Sequence, residues 1–264
     1  MVEGLHITHW SSRDLACQAK VEGILPTVSE ATVRRILHQV DLQPHRTRYW
    51  KTSHLDRQFK QRAEQILGCY ANANRLVNKG FLTICVDEIA NVQVLERSPI
   101  KRAIPGVVEH QEFEYIRHGT VNILVFLVVH TGLMQVAILD AKDADHYIKE
   151  LKRLRHRYPG IQGVYLIHDN DPSHTAQATH CYFSETPWWH PCYTPVHASW
   201  LNQAEILIHR FRHYYLKRGS WKSCEEFIEH VMVSCREYNW RYAEPIEWTW
   251  TNEKMRQWFK EHTQ

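Results

Sequence analysis

After residue 80 the sequence contains a series of short apolar runs, and their order limits the fold more than any other feature. The first three are FLTICV (81–86), TVNILVFLVV (120–129) and LMQVAIL (133–139). Short apolar runs of this kind predict buried strands. They are too short for a membrane helix, which needs about 20 apolar residues. His130-Thr131-Gly132 separates the second run from the third and predicts a hairpin turn. The three strands are expected to pair as an antiparallel meander.

The rest of this region alternates helical and strand patterns. Residues 143–158 form an amphipathic helical pattern, and a fourth apolar run covers 163–168. The later elements are a fifth strand at 188–193 and helices beginning near Ser199, Trp221 and Asn252. Because the fourth strand returns through a helix, it should run parallel to one of the first three. The expected architecture is α/β, a mixed five-stranded sheet flanked by helices, in the element order of an RNase H-like fold.

Residues 11–39 have the pattern of two short helices joined by a turn. Ser11-Ser12 and Ser29 are suitable N-caps, and Pro26 interrupts the helical pattern between them. This spacing fits a helix-turn-helix and a plain helical hairpin equally well. In a helix-turn-helix, the second helix would present Arg34 and Arg35 to DNA.

A basic and aromatic segment, LQPHRTRYWK, follows at 42–51. Its Arg46, Arg48 and Lys51 alternate with aromatic residues, which suits a linker lying along a DNA backbone or a solvated connector. The predicted organisation is a small all-α helix-turn-helix segment with its basic linker at 1–50, a spacer helix at 51–79 and an RNase H-like domain at 80–264.

The composition narrows the class of protein. The 264 residues are 44% hydrophobic and 23% charged, which is typical of a folded chain. The formal net charge of +3 permits a nucleic-acid partner without indicating one. The seven cysteines include no CxxC pair and fit neither a zinc site nor a disulfide scaffold. The first ten residues lack a signal-peptide pattern, so a cytoplasmic protein with no membrane partner is expected.

Three acidic residues stand where the predicted fold would bring them together. Asp87 follows the first strand, Asp169 follows the fourth, and Glu205 lies early in the helix SWLNQAEILIHRF. On that helix Glu205 borders the apolar stripe and can point to the sheet edge or to solvent near His209. Converging carboxylates repel one another unless a cation lies between them. Their oxygens suit Mg²⁺ or Mn²⁺, and two such ions would support an in-line phosphoryl displacement.

Four neighbouring polar residues have competing explanations. Glu88 should point to the sheet face opposite Asp87, although it remains a candidate accessory ligand. Asp171 is a further accessory candidate, although it precedes Pro172, which is typical of a helix N-cap. His174 is an accessory candidate for phosphate contact or for a structural role. Ser199 is predicted to cap the Glu205 helix.

Several segments resemble one known family. The segments are CVDE (85–88), FEYIRHGTVN (113–122), HDNDPSH (168–174) and TPVHASWLNQAE (194–205). Together with the N-terminal helices and PHRTRYWK, they are similar to bacterial insertion-sequence transposases of the mariner-like group, in the DDE superfamily. Within them, SWLNQ-x-E is the most specific match.

The resemblance implies an enzyme that cuts double-stranded DNA at terminal inverted repeats and joins the freed 3′ ends to target DNA. It assigns Asp87, Asp169 and Glu205 to the catalytic, metal-binding carboxylates. It also implies a homodimer on DNA, located at the bacterial nucleoid.

The resemblance also suggests two alternatives. Relatives usually carry a further helix-turn-helix before the one at 11–39, so we expect that module to be missing here. A chain without it would be either an active transposase or a catalytically idle end-binding remnant that regulates an intact enzyme. A junction resolvase of the same fold is a third reading, which the SWLNQAE segment disfavours.

Overall fold

The computed structural model describes residues 11–39, 57–97 and 114–262. The chain forms two compact units, Met1–Thr52 and Ser53–Gln264. The domain boundaries predicted at residues 50 and 80 remain predictions.

The smaller unit contains the two predicted helices, α1 (Ser12–Val21) and α2 (Glu30–Gln39). Ser11 caps α1 in a reciprocal capping box, and the Ser29 hydroxyl accepts a hydrogen bond from the third amide of α2. Both caps confirm the sequence analysis. They explain where each helix begins, because each satisfies an amide that has no partner within the helix.

The two arginines predicted on α2 have different surroundings. Both side chains are exposed, and Arg34 also pairs with Glu30 one turn earlier. The predicted DNA contacts Arg46, Arg48 and Lys51 lie outside the described residues.

The larger unit is built on a five-stranded sheet, as predicted. The strands are β1 (Phe81–Arg97), β2 (Tyr115–Val128), β3 (Leu133–Leu139), β4 (Gly163–His168) and β5 (Trp189–Tyr193). Their order is β3-β2-β1-β4-β5. β1 to β3 form the expected antiparallel meander, and β4 pairs parallel with both β1 and β5.

β1 is much longer than the run 81–86 that predicted it. It continues to Arg97 through a bulge between Ile89 and Val92, where Asn91 has a φ of 52°. The Asn122 side chain accepts a hydrogen bond from the Asn91 amide at 2.8 Å and holds this turn of the backbone. The extension is half exposed and therefore lacks the apolar signal of a buried strand.

Helices cover both faces of the sheet. They are α3 (Arg57–Ala71), α4 (Ala73–Asn78), α5 (Ala144–His156), α6 (Pro172–Thr175), α7 (Gln177–Glu185), α8 (Gln203–Phe211), α9 (Cys224–Tyr242) and α10 (Asn252–His262). A 3₁₀ turn at Ser199–Leu201 precedes α8, and a π-helical turn at Arg212–Leu216 follows it. In the part of the chain that the structure describes, no helix has the length and apolar content to cross a bilayer.

Alternate residues of β1 pack against opposite layers of the core. Ile84 and Val86 join the layer that contains α5, whereas Cys85 and Ile89 join the layer that contains α8 and α9. By the same alternation, Asp87 belongs to the α8 face and Glu88 to the α5 face. In keeping with this, Glu88 contacts His174, whose ring lies against Tyr147 of α5.

Candidate active site

Asp87 and Asp169 are neighbours because β1 and β4 are parallel. The last residues paired between these strands are Cys85 and Ile167. Each aspartate lies two residues further along, where the parallel pairing has ended; β4 stops at His168, whereas β1 continues to Arg97. The parallel register therefore places the two carboxylates side by side at the carboxyl end of β4.

Glu205 reaches the same place on the first turn of α8, which Asn202 fastens to β1. The Asn202 amide donates to the Val86 carbonyl at 2.9 Å, and its Oδ1 accepts from the Ala204 amide at 3.1 Å. Asn202 is fully buried. One side chain therefore caps α8 and holds it to the residue that precedes Asp87.

The prediction that Ser199 caps this helix was wrong. Ser199 begins the 3₁₀ turn, which has no side-chain cap, and its side chain is exposed. The cap falls on Asn202 because its side chain reaches both the helix amide and the strand carbonyl. Sequence analysis missed Asn202, although an asparagine before the helix QAEILIHRF is an ordinary N-cap signal.

Tyr70 of α3 provides a second attachment that the sequence did not reveal. Its hydroxyl donates to the Leu201 carbonyl at 2.7 Å and accepts from the Gln203 amide at 3.2 Å. The start of α8 is therefore held by both α3 and β1.

Asp87 and Glu205 line an open cleft of about 870 Å³. As expected for α8, Ala204, Ile208 and Phe211 are buried, while Glu205 is exposed to the cleft. Basic side chains from the end of α8 and the turn that follows it also line the cleft, and these are His209, Arg212, His213 and Lys217. The cleft combines carboxylates that suit a cation with cations that suit a phosphate.

The pKa of Asp87 is raised to about 7. Burial is the largest cause, and the negative charges of Asp169, Glu88 and Glu205 add to it, while the Glu88 amide acts against the rise. Asp87 therefore lies within electrostatic reach of both Asp169 and Glu205.

His174 joins Asp169 to Glu88 beneath the site. Its Nδ1 lies 2.7 Å from Asp169 Oδ1, and its Nε2 lies 2.7 Å from Glu88 Oε1. Both ring nitrogens face carboxylates, so the imidazolium form donates to both. Burial opposes the charge on the ring, but these two hydrogen bonds raise the pKa of His174 to about 9.

The same contact orients Asp169. Burial alone would raise the pKa of Asp169, yet the hydrogen bonds from His174 and from the Asp171 amide hold it below its usual range. Both hydrogen bonds use Oδ1. The second oxygen of Asp169 takes part in neither of these two bonds.

Asp171 has the capping role that the sequence indicated. Its Oδ1 accepts from the Ser173 amide at 3.0 Å and from the Ser173 hydroxyl at 2.8 Å. Its other oxygen pairs with Lys142 at 2.7 Å. These bonds use both carboxylate oxygens of Asp171 within the protein.

The donor set of the site fits a hard divalent cation. Asp87, Asp169 and Glu205 offer carboxylate oxygens, and a cation among them would relieve the repulsion that raises the pKa of Asp87. Across the described ranges, no three His, Cys, Asp or Glu side chains are in metal-binding geometry. The chemistry of the donors, rather than their present spacing, supports the fit.

We predict that Asn202→Ala lowers the free energy of unfolding by about 2–4 kcal/mol, since it removes a helix cap and leaves the Val86 carbonyl without its partner. The matched variant Ser199→Ala should change it by less than about 0.5 kcal/mol. Urea denaturation of both variants measures the difference. Equal losses would contradict the assignment of the cap to Asn202.

We also predict that His174→Ala lowers the free energy of unfolding by about 3–5 kcal/mol, because it leaves the Glu88 side chain, 4% exposed, as a buried unpaired charge. Adding Glu88→Gln to this variant should restore part of the loss. The surface pair of His146 with Asp143 supplies the control, and His146→Ala should have a much smaller effect. Strictly additive losses in the double variant would show that the two side chains are not coupled.

Comparison with known proteins identifies the family and the fold. The DDE superfamily endonuclease family matches residues 83–228, which is more than half of the chain. A search of curated proteins finds no match.

Among solved structures, the chain is similar to Mos1 transposase in a paired-end complex with the left transposon end, at 20% identity and a TM-score of 0.53. The match covers 88% of this chain and 69% of that one. It is also similar to the Mos1 mariner paired-end complex with Mn, at 17% identity and a TM-score of 0.52, over 88% of this chain and 72% of that one. At these identities the likeness establishes the RNase H-like fold, whereas the family match establishes descent. The chain belongs to the DDE superfamily of endonucleases.

Proposed function

We propose that this protein is a DNA transposase that cuts transposon ends and joins their 3′ ends to target DNA by metal-dependent phosphoryl transfer. The observation that best supports the proposal is the position of Asp87 within electrostatic reach of Asp169 and Glu205, at a cleft lined by basic side chains. Membership of an endonuclease superfamily and a fold like that of Mos1 transposase support it.

Asp87, Asp169 and Glu205 would hold the cation, which we take to be Mg²⁺ or Mn²⁺, as two ions. When bound, such ions stabilise the attacking and leaving oxygens of an in-line displacement. The solved Mos1 complex that contains Mn is consistent with this choice.

The protein's own side chains would prepare the site. His174 fixes Asp169 through Oδ1, and Asn202 holds the Glu205 helix against β1. Arg212 and Lys217 in the cleft wall would neutralise phosphates of the strand being cut. Each of these groups reduces the reorganisation needed when DNA enters.

Recognition of DNA ends would fall to the smaller unit. We propose that α1 and α2 form a helix-turn-helix in which Arg34 and Arg35 contact the duplex, with Arg46, Arg48 and Lys51 along its backbone. Two ends must be brought together, so the working form would be a homodimer on the bacterial chromosome.

We predict that the purified protein nicks a supercoiled plasmid carrying the element's ends in Mg²⁺ or Mn²⁺ and not in EDTA. Asp87→Ala, Asp169→Ala and Glu205→Ala should each lower the rate by about 100-fold or more, the scale expected for losing a transition-state contact. Glu229→Ala removes an exposed carboxylate far along the chain on α9 and should leave the rate unchanged.

The nicking experiment also separates the two candidate functions. Wild-type activity in any one of the three variants would remove that residue from the site. A folded wild-type protein that binds the ends without cutting them would favour the idle, end-binding regulator.

For the smaller unit, we predict that Arg34→Ala/Arg35→Ala weakens binding to the element's ends. It should also reduce the slope of log K against log salt by about 1–2, because fewer counterions are released. The matched change Arg13→Ala/Lys20→Ala on α1 should have a smaller effect. Fluorescence anisotropy across a salt series measures both, and an unchanged affinity and slope would show that α2 does not contact DNA.

A further inference from the structure

The outer face of α5 is basic along two turns. From residue 149 to the C-cap at 157, every exposed side chain is Lys, Arg or His. We call these six the α5 basic face, and they are Lys149, Lys152, Arg153, Arg155, His156 and Arg157. Lys149, Lys152, Arg153 and His156 border a shallow depression of about 470 Å³, with Asp145 as its one acidic lining residue.

The packing of α5 explains why only cations remain outside. Tyr147, Leu151 and Leu154 are buried against the sheet, and the Glu150 side chain is turned inward at 6% exposure. From Ala144 to the cap, five Lys or Arg residues stand against two acids. The resulting formal charge of +3 equals that of the entire chain. This one helix therefore carries as much net positive charge as the whole chain.

The stability of α5 does not explain why so many Lys and Arg side chains lie on it. A cation in the last turn complements the helix dipole, but the effect falls off within that turn. Lys149 and Lys152 precede the basic residues of the last turn, which are Arg153, Arg155 and His156. Self-repulsion among so many cations carries a cost to the fold, so their placement indicates an anionic partner.

The cations are held in place but mostly lack acidic partners. Arg153 pairs with Glu150, and Arg157 donates to the Gln135 side-chain oxygen at 2.7 Å. In the described part of the chain, no carboxylate pairs with Lys149, Lys152 or Arg155. Instead Lys152 lies 5.5 Å from the ring centre of Tyr182, and Arg155 lies 5.8 Å from that of Trp188. Aromatic contacts orient these groups without neutralising them.

We propose that the α5 basic face binds the sugar-phosphate backbone of duplex DNA outside the catalytic cleft. The proposal rests on the proposed function as a DNA-processing enzyme. Lys149 to Arg157 span about 12 Å of helix axis, over which a duplex presents roughly seven phosphate charges. The face therefore matches a duplex in both sign and density of charge.

The position of α5 determines which part of the DNA it holds. α5 packs on the sheet face of Ile84 and Val86, whereas α8 and the cleft lie on the opposite face. The bound stretch is therefore duplex away from the strand being cut. Phosphate contacts carry no base information, so this binding is independent of sequence.

The test compares two variants with equal charge change. One is Lys149→Gln/Lys152→Gln/Arg155→Gln, and the control is Lys222→Gln/Arg236→Gln/Lys260→Gln, which removes exposed cations from other regions. Fluorescence anisotropy with a duplex of unrelated sequence is followed from about 50 to 200 mM salt. The α5 variant should bind at least about tenfold more weakly at low salt, with a log–log slope smaller by about 2–3. The control should change less than about twofold.

Several outcomes would overturn the proposal. Equal losses in both variants would show a general charge effect, and an unchanged slope in the α5 variant would show no contact. Wild-type binding to phosphatidylserine vesicles but not to duplex would show a lipid surface instead. Should the triple variant unfold at a lower temperature, Lys149→Gln/Lys152→Gln keeps Arg155 on Trp188 and should still lower the slope by about 2.

The outcome is separable from that of the proposed function. A wild-type protein that nicks plasmid while the α5 variant binds duplex normally would overturn the α5 basic face alone. A wild-type protein that never nicks, but loses duplex binding in the α5 variant, would retain the face and overturn the catalysis.

Discussion

The position of β1 between an antiparallel and a parallel partner is the constraint on which the rest of the larger unit depends. β2 pairs with most of the length of β1, whereas β4 pairs with only the first five residues of β1. A parallel partner must return through a crossover, and α5 provides it. The parallel register then brings Asp87 and Asp169 to one edge of the sheet, where Glu205 can meet them on α8.

Charge is distributed around this sheet in an ordered way. Carboxylates crowd one end, where burial and mutual repulsion raise the pKa of Asp87. The imidazolium of His174 offsets the negative charges of Asp169 and Glu88, and its hydrogen bond fixes the orientation of Asp169. Cations lie further out, in the cleft wall and on α5. In the proposed function, the cations attract DNA and the carboxylates hold the ions that act on it.

The sequence by itself determined the elements and the chemistry that they carry. The strands at 133–139 and 163–168 have the predicted bounds, and the caps of α1, α2 and α6 are the predicted ones. These features depend on side-chain periodicity and on hydrogen bonds between residues two to four positions apart, so a short window of sequence contains them. Asp87 and Asp169 stood out because each follows a buried strand.

Only the tertiary structure decided which side chains from distant segments contact one another. His174 contacts Glu88 across 86 positions, and Asn202 contacts Val86 across 116. No local pattern encodes such pairs, so the bond from Asn202 to Val86 could not be predicted, whereas its cap of α8 is a local signal that was wrongly assigned to Ser199. The extension of β1 to Arg97 also depends on pairing with β2, since its own residues are too polar to predict a strand. The sequence named the reactive groups, and the register of the sheet decided which of them meet, because that register joins residues far apart in the chain.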